Sequence, residues 1–173
     1  MAVTSKREQI LEYIRLTILP KIIGTGNYNL KLTTISREFR APNELKYVEF
    51  PAAMILDDYD TYYEPLTSRE YTTGSTQLGL NDGMNIAILG MVNLPNIGGN
   101  NPAGTMSTEM NKMESDIIIA FFEEKAQIFG GLIQGFTLMK SSRVIQIKDN
   151  SQIGVVIVNF TIKYDFNPYN KIT

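Results

Sequence analysis

The acidic run that follows the apolar segment 50–56 is the part of the sequence whose residue types could do chemistry. Its carboxylates are Asp57, Asp58, Asp60 and Glu64. Oxygen-rich clusters of this kind bind Ca²⁺ or Mg²⁺, so a small metal-dependent enzyme would place its ion here. The run lacks the glycine and the terminal glutamate of an EF-hand loop, and charge runs usually form solvated faces. We therefore interpret it as a solvated turn or a contact surface, and assign no metal.

The chain contains no histidine and no cysteine, which excludes most familiar hydrolase mechanisms. It has no imidazole base, no thiolate nucleophile, no disulfide and no histidine-ligated metal. Ser141 and Ser142 have no base in view, so we assign no nucleophile. Gly98, Gly99 and Gly104 precede a predicted helix, but no lysine occupies the P-loop position, which favours a plain loop. We assign no catalytic residue and no cofactor.

Four tyrosines in and beside the acidic run indicate a protein interface. Tyrosine is enriched where protein surfaces meet, and a solvated segment does not need so many aromatic rings. We predict that the segment 57–82 is an extended arm and that the Gly-, Asn- and Pro-rich segment 95–104 is a flexible loop. The predicted interface residues in these two segments are Asp57, Asp58, Tyr59, Asp60, Tyr62, Tyr63, Tyr71, Asn96, Asn100 and Asn101.

The N-terminal segment predicts an amphipathic helix. Thr4 and Ser5 precede Glu8 at the spacing of a capping box. Pro20 is expected to end or kink the helix at about Leu19, because proline has no N–H to donate. The apolar residues that recur at helical spacing are Ile10, Leu11, Ile14, Ile18 and Ile22.

A second, longer helix is predicted after the loop. Thr105 or Ser107 is expected to cap it, and it should run to about Phe129, where Gly130 and Gly131 would stop it. Its methionines could form an adaptable docking surface, but ordinary core is the favoured interpretation. The predicted inward stripe is Met106, Met110, Met113, Ile117, Ala120 and Phe121.

Several strands are predicted between and after the helices. The segment 29–39 alternates imperfectly and predicts a strand with a bulge. The run 50–56 is continuously apolar, which is typical of a buried strand. A strand is expected over 69–77 in the arm, and another over 84–94.

The C-terminal residues predict a β-hairpin. The segments 136–148 and 154–166 both alternate, and Asp149–Ser151 are turn residues. A bulge is allowed at Ser141 and Ser142. Residues 156–166 of even number are expected to be buried, and the opposite face should be covered only in its first half. The expected cross-strand pairs are Val144 with Val156, Leu138 with Ile162, and Phe136 with Tyr164.

Length and charge set further bounds. At 173 residues, the chain is expected to form a single domain over 1–173 that buries about two thirds of its unfolded surface. The formal net charge of -2 gives no electrostatic reason to expect nucleic-acid binding. Charged residues interrupt the N-terminal apolar positions, so we expect no signal peptide. The apolar runs are too short to span a bilayer, so we expect no membrane partner.

The order of elements resembles that of the tail-terminator, or tail-completion, proteins of tailed bacteriophages. The resemblance rests on a first helix REQILEYIRLTILPKI, an early strand, the strand FPAAMIL, a helix containing MESDIIIAFFEE, and a closing pair of strands ending VVIVNFTIKYDF. It covers most of the chain and rests on pattern and length, without a catalytic signature. The segment 58–104 is long for the compact family pattern.

The resemblance implies an α+β subunit with a mixed, mainly antiparallel sheet flanked by two helices. Such subunits join copies of themselves into a six-fold ring that caps the head-proximal end of the tail tube and ends tube polymerisation. The implied partners are the tail tube protein, the neck or connector proteins and, in contractile tails, the sheath. DNA passes through the lumen without specific binding. The implied location is the virion tail or neck, after assembly in the host cytoplasm.

Other functions stay open at this point. A neck, head-completion or tube-type virion protein would share the ring habit and differ in its partners. A small divalent-metal enzyme would use Asp57, Asp58 and Asp60. A monomeric binding module would differ from all of these in its oligomeric state.

Overall fold

The computed structural model describes residues 5–57, 70–71, 80–95, 103–123, 128–148 and 151–166. In chain order, the helices and strands are α1 (Lys6–Tyr13), β1 (Thr34–Ser36), β2 (Ala52–Asp57), β3 (Glu70–Tyr71), β4 (Leu80–Pro95), α2 (Ala103–Glu123), α3 (Ile128–Gly131), β5 (Gly135–Lys148) and β6 (Ser151–Phe166). None of the described helices is long and apolar enough to cross a membrane.

The strands form one sheet in the order β1-β2-β4-β6-β5, with β3 paired to β4. The β1–β2 pair is parallel, and the other pairs are antiparallel. The expected α+β class is confirmed, with a mixed and mainly antiparallel sheet and a closing C-terminal hairpin. β4 and β6 are the long central strands, and β1 and β5 are the edges of the five-strand path.

Both long helical segments pack on one face of the sheet, where the larger core lies. The predicted inward stripe of α2 is confirmed, and so is the buried face of β6 from Val156 to Tyr164. Two strand glycines let α2 approach closely. A Cβ on Gly90 would lie 2.4 Å from Met113 Cγ, and one on Gly154 would lie 2.6 Å from Met106 Sδ. The helix and the sheet therefore pack directly on the backbone at these positions.

A smaller cluster covers the opposite face of the sheet. Ile153 and Val155 of β6 are buried there, Ile157 is partly buried and Lys163 is exposed. The expected change from apolar to polar along this face is therefore present, but the second half is not uncovered throughout. Thr161 is 7% exposed and donates to Asn85 Oδ1 at 2.7 Å. Leu45, from the turns between β1 and β2, packs into the same cluster.

The first helix has the predicted start and a different ending. The Ser5 hydroxyl accepts a hydrogen bond from the Glu8 N–H, as a capping residue does. After Tyr13 the helix widens into a π-helical segment, Ile14–Ile18, and closes with a 3₁₀ turn, Leu19–Lys21. Pro20 has no N–H to donate to an α-helical hydrogen bond. The last turn, Leu19–Lys21, is therefore a 3₁₀ turn and not an α-helical one.

The predicted strand over 29–39 is mostly wrong, because only Thr34–Ser36 form a strand there. Asp116 of α2 accounts for the first two residues of the segment. Its buried carboxylate accepts hydrogen bonds from the N–H groups of Asn29 and Leu30 and from the Asn29 side chain, at 2.7–3.0 Å. These backbone groups are thereby satisfied by the helix instead of by a neighbouring strand.

The predicted start of the second helix is also wrong, and its predicted end near Phe129 follows residues 124–127, which lie outside the described residues. Ala103 and Gly104 already belong to α2, so Thr105 and Ser107 lie inside it and not at its cap. Phe129 has φ of 50°, in the left-handed region, and sits in the short turn α3. A left-handed residue other than glycine costs about 1–2 kcal/mol. The buried Phe129 ring stacks on Tyr13 at 5.7 Å, and this packing holds the turn.

The remaining strands differ from expectation mainly in their bounds. β2 begins at Ala52 and includes Asp57, and β4 extends beyond 84–94 in both directions. Of the segment 69–77, only Glu70–Tyr71 are described as a strand.

The hairpin is present, but its predicted register is wrong. Val144 pairs with Val155, Leu138 with Phe160, and Phe136 with Ile162. The ladder closes at Lys148 and Ser151, so Ser151 belongs to the strand and not to the turn. The bulge lies between Leu138 and Ser141, just before the predicted position. Compared with the predicted register, the pairs between the bulge and the turn are therefore shifted by one residue, and the pairs on the other side of the bulge are shifted by two.

Candidate interaction surfaces

Most of the predicted interface residues cannot be placed. Asp58, Tyr59, Asp60, Tyr62, Tyr63, Asn96, Asn100 and Asn101 lie outside the described residues. Tyr71 belongs to β3, where its backbone pairs with Leu80. Asp57 ends β2, and its carboxylate lies 3.3 Å from the Arg7 guanidinium. The prediction for the arm therefore stays a prediction.

No chemical centre is assembled among the residues that the structure places. The search for three or more metal-ligating side chains found no group within the described ranges. Ser141 and Arg143 both donate to Glu114 of α2, with Arg143 Nε at 2.8 Å from the carboxylate. Burial acts to raise the pKa of Glu114, but these two donors outweigh it and hold that pKa below its usual range. The group ties β5 to α2.

Exposed apolar side chains lie along the edge strand β5, on both of its faces. We call this set the β5 surface and define it by Met139, Val144 and Ile145, which are all exposed. Within the described sheet, β5 pairs with β6 on one side only. Its outer row of backbone N–H and C=O groups therefore has no strand partner there, and such an edge is a template for pairing with another chain.

A second exposed apolar surface lies on the turns between β1 and β2. We call it the turn surface and define it by Phe39, Tyr47 and Val48. The 3₁₀ turn Tyr47–Glu49 carries Tyr47 and Val48, and Phe39 precedes a second 3₁₀ turn, Pro42–Glu44.

The second turn is fixed by hydrogen bonds to Glu49. Its carboxylate accepts from the Lys46 N–H at 2.7 Å and from Arg40 Nη1 at 2.6 Å. The Arg40 contact and then the Lys46 N–H lower the pKa of Glu49 to about 2. Tyr47 and Val48 are thereby held outward on a pre-organised turn.

The two surfaces lie towards opposite ends of the strand order, the turn surface beside β2 and the β5 surface on β5. One row of paired residues crosses all five strands of the main path, through Thr34, Ala52, Met91, Val155 and Val144. The turn surface adjoins the Ala52 side of this row, and the β5 surface includes its other end. Strands β2 and β5 are three spacings apart, which is about 14 Å. The surfaces are therefore separate and unlike.

Sequence reasoning missed both surfaces. The adjacent Val144 and Ile145 point to opposite faces of β5, a pattern that normally indicates burial on both faces. Only the position of β5 at the edge of the sheet makes them exposed. Phe39, Tyr47 and Val48 lie in a segment without periodicity, so a cluster of large apolar residues in a turn was the available signal.

Comparison with known proteins adds no family to this description. No protein-family model matches the chain, and a search of curated proteins found no significant match.

Proposed function

We propose that this chain is a structural virion protein, a phage tail terminator that joins copies of itself head to tail into a six-fold ring. The ring would cap the head-proximal end of the tail tube, end the growth of the tube and any sheath, and join the tail to the neck. The resemblance of the element order to the tail-terminator family supports this proposal. The observation that carries it is the pair of unlike apolar surfaces towards opposite ends of the strand order of one sheet.

Unlike surfaces favour a ring for a geometric reason. A two-fold dimer uses the same surface on both subunits, whereas a head-to-tail contact joins two different surfaces and closes into a ring when its rotation permits. The turn surface and the β5 surface supply such a pair. Exposed apolar patches of this kind mark interaction sites, and a net charge of -2 suits a lumen through which DNA passes unbound.

Light scattering over a range of concentrations, with negative-stain images of the same samples, tests the ring. We expect a mass that rises to six subunits and single closed rings in the images. Stacks of rings would instead indicate a tube-type subunit. A chain that stays monomeric at the highest concentration would contradict the proposal.

Mixing two broken variants tests the head-to-tail contact directly. Tyr47→Ser with Val48→Ser removes the turn surface, and Val144→Ser with Ile145→Ser removes the β5 surface. Each variant alone should stay monomeric. Mixed together, they should form dimers and nothing larger. The intact β5 surface of the first variant can bind the intact turn surface of the second, and neither chain has another intact surface. Assembly of either variant alone would show that its altered surface is not needed.

The arm is tested through its tyrosines. We expect Tyr62→Ala with Tyr63→Ala to leave the melting temperature almost unchanged and to weaken assembly, because tyrosines in an interface act on binding. Circular dichroism melts and light scattering measure the two effects. Equal damage to folding and to assembly would place these tyrosines in the core.

A further inference from the structure

A small cleft adjoins the turn surface, at the end of β4. Its volume is about 180 Å³. Apolar side chains form most of its wall, and the carboxylate of Glu109 on α2 adds a negative group. The described residues that line it are Tyr47, Phe50, Pro51, Val92, Asn93, Leu94 and Glu109.

The acceptors of the cleft are incompletely paired. Asn93 Oδ1 is buried and has no hydrogen-bond partner among the described residues. A buried acceptor without a partner lowers the stability of the fold. Lys112 Nζ donates to Glu109 Oε1 at 2.6 Å, and Oε2 has no described partner. The cleft therefore suits a group with an apolar stem and a cationic donor at its tip.

Lysine has this chemistry, because its four-carbon stem lies along apolar surface while its ammonium reaches polar groups. The rings of Tyr47 and Phe50 in the wall can also attract a cation. The bulge of β5 exposes such a lysine, Lys140, beside the exposed Met139. Asn159 Nδ2 donates to the Lys140 carbonyl oxygen at 3.0 Å and fixes its backbone. Within the described residues, Lys140 Nζ forms no ion pair.

Lys140 cannot fill the cleft of its own subunit. It lies on β5, and the cleft lies beside β2 and the end of β4, two to three strand spacings away, or about 10–14 Å. We infer that the cleft receives Lys140 of a second copy, with the ammonium bound by the Glu109 carboxylate and with Met139 packed on the turn surface. This contact rests on the proposed ring and specifies how its two surfaces meet.

Charge reversal tests the contact in the full chain. Lys140→Glu places a like charge against Glu109, so the midpoint concentration for assembly should rise about tenfold or more. The matched control is Lys163→Glu, another exposed lysine, on β6, which should change the midpoint by less than about threefold. The double variant Lys140→Glu with Glu109→Lys should recover most of the loss. Circular dichroism checks that each variant folds.

Cross-linking tests which residues meet. The chain has no cysteine, so every thiol is an introduced one. A short bismaleimide should link Asn93→Cys copies to Lys140→Cys copies in a mixture, and neither variant should link to itself. Self-linking of Lys140→Cys would overturn the contact and indicate β5-to-β5 pairing.

The two proposals can fail separately. A wild-type chain that forms rings, with Lys140→Glu assembling as well as Lys163→Glu, overturns the lysine contact and leaves the ring intact. A wild-type chain that forms no oligomer overturns the ring and this contact together.

Discussion

The neighbouring strands β5 and β6 each carry an adjacent pair of β-branched apolar residues, and the two pairs differ in burial. Val155 and Val156 of β6 are 5% and 0% exposed, whereas Val144 and Ile145 of β5 are 47% and 46% exposed. Val144 and Val155 are direct cross-strand partners. β6 lies between two strands and under α2, and β5 has a strand on one side only. Position in the sheet, and not residue type, therefore separates these two pairs in burial.

This difference teaches how to interpret an apolar strand. Its pattern predicts that both faces will be covered, but it does not specify whether the same chain or another copy supplies the cover. In β6 the cover is intramolecular, so its residues should control folding. In β5 the described residues leave the cover incomplete, so its exposed residues should control assembly.

Phe160→Ala should show the largest effect on folding. The Phe160 ring is fully buried and stacks on Phe121 with ring centres 4.0 Å apart, so its loss should reduce the free energy of unfolding by about 3–5 kcal/mol. Chemical denaturation measures this change. A loss below about 1 kcal/mol would mean that this face of β6 is not core, and would break the comparison.

Glycine replacements compare the two strands at a finer level. Gly154→Ala in β6 drives its new methyl group into Met106 and Met110, which should cost about 1–3 kcal/mol through overpacking. Gly135→Ala in β5 is the matched control, because a Cβ there meets nothing within 4 Å. It should change stability by less than about 0.5 kcal/mol. Equal effects in denaturation curves would show that α2 does not pack closely on β6.

Serine replacements on β5 should separate folding from assembly. Val144→Ser with Ile145→Ser should alter the free energy of unfolding of the monomer by no more than about 0.5 kcal/mol at each position, because both side chains are half exposed. Val155→Ser, directly across the ladder, removes buried apolar volume and buries a hydroxyl, and should cost about 2 kcal/mol or more. Similar losses from both would place the β5 surface in the core.

Apolar periodicity was enough to predict the elements whose buried faces follow from their own sequence. The α2 stripe from Met106 to Phe121 and the buried face of β6 follow directly from apolar spacing. The failures arose where a distant residue decides local structure. Asp116 accepts hydrogen bonds from the backbone N–H groups of Asn29 and Leu30, which therefore do not bond to a neighbouring strand. Packing in the core keeps Phe129 in a left-handed conformation. The hairpin register depended on the closing pair of the ladder, which turn composition alone did not specify.

The candidate surfaces were harder to predict than the fold. Sequence reasoning placed the interface on tyrosines and asparagines, most of which lie outside the described residues. The exposed side chains that the structure adds, such as Tyr47 and Val144, look like core residues in the sequence. Only strand order reveals that β5 is an edge.

The smallest expected effect concerns Glu114, which ties β5 to α2. Burial acts to raise the pKa of its carboxyl, but the donors Ser141 and Arg143 outweigh burial and hold the pKa below its ordinary value of 4.5. Glu114 therefore contributes stability that is present above its unfolded pKa and is lost as the pH falls through the lower folded pKa. Ser141→Ala with Arg143→Leu removes both donors and leaves burial, so the pKa of Glu114 should move above 4.5.

A carbon-detected NMR titration of the glutamate carboxyls measures this change of sign. Glu123 is the internal control, because Tyr28 and Asn27, and not β5, lower its pKa, and its midpoint should not move. A Glu114 midpoint that stays below 4.5 in the double variant would mean that β5 does not hold the carboxylate. If the midpoint of Glu114 moves and that of Glu123 does not, the contact between Glu114 and β5 is a local one at the edge of the core. The exposed side chains of β5 would then remain available to a second copy.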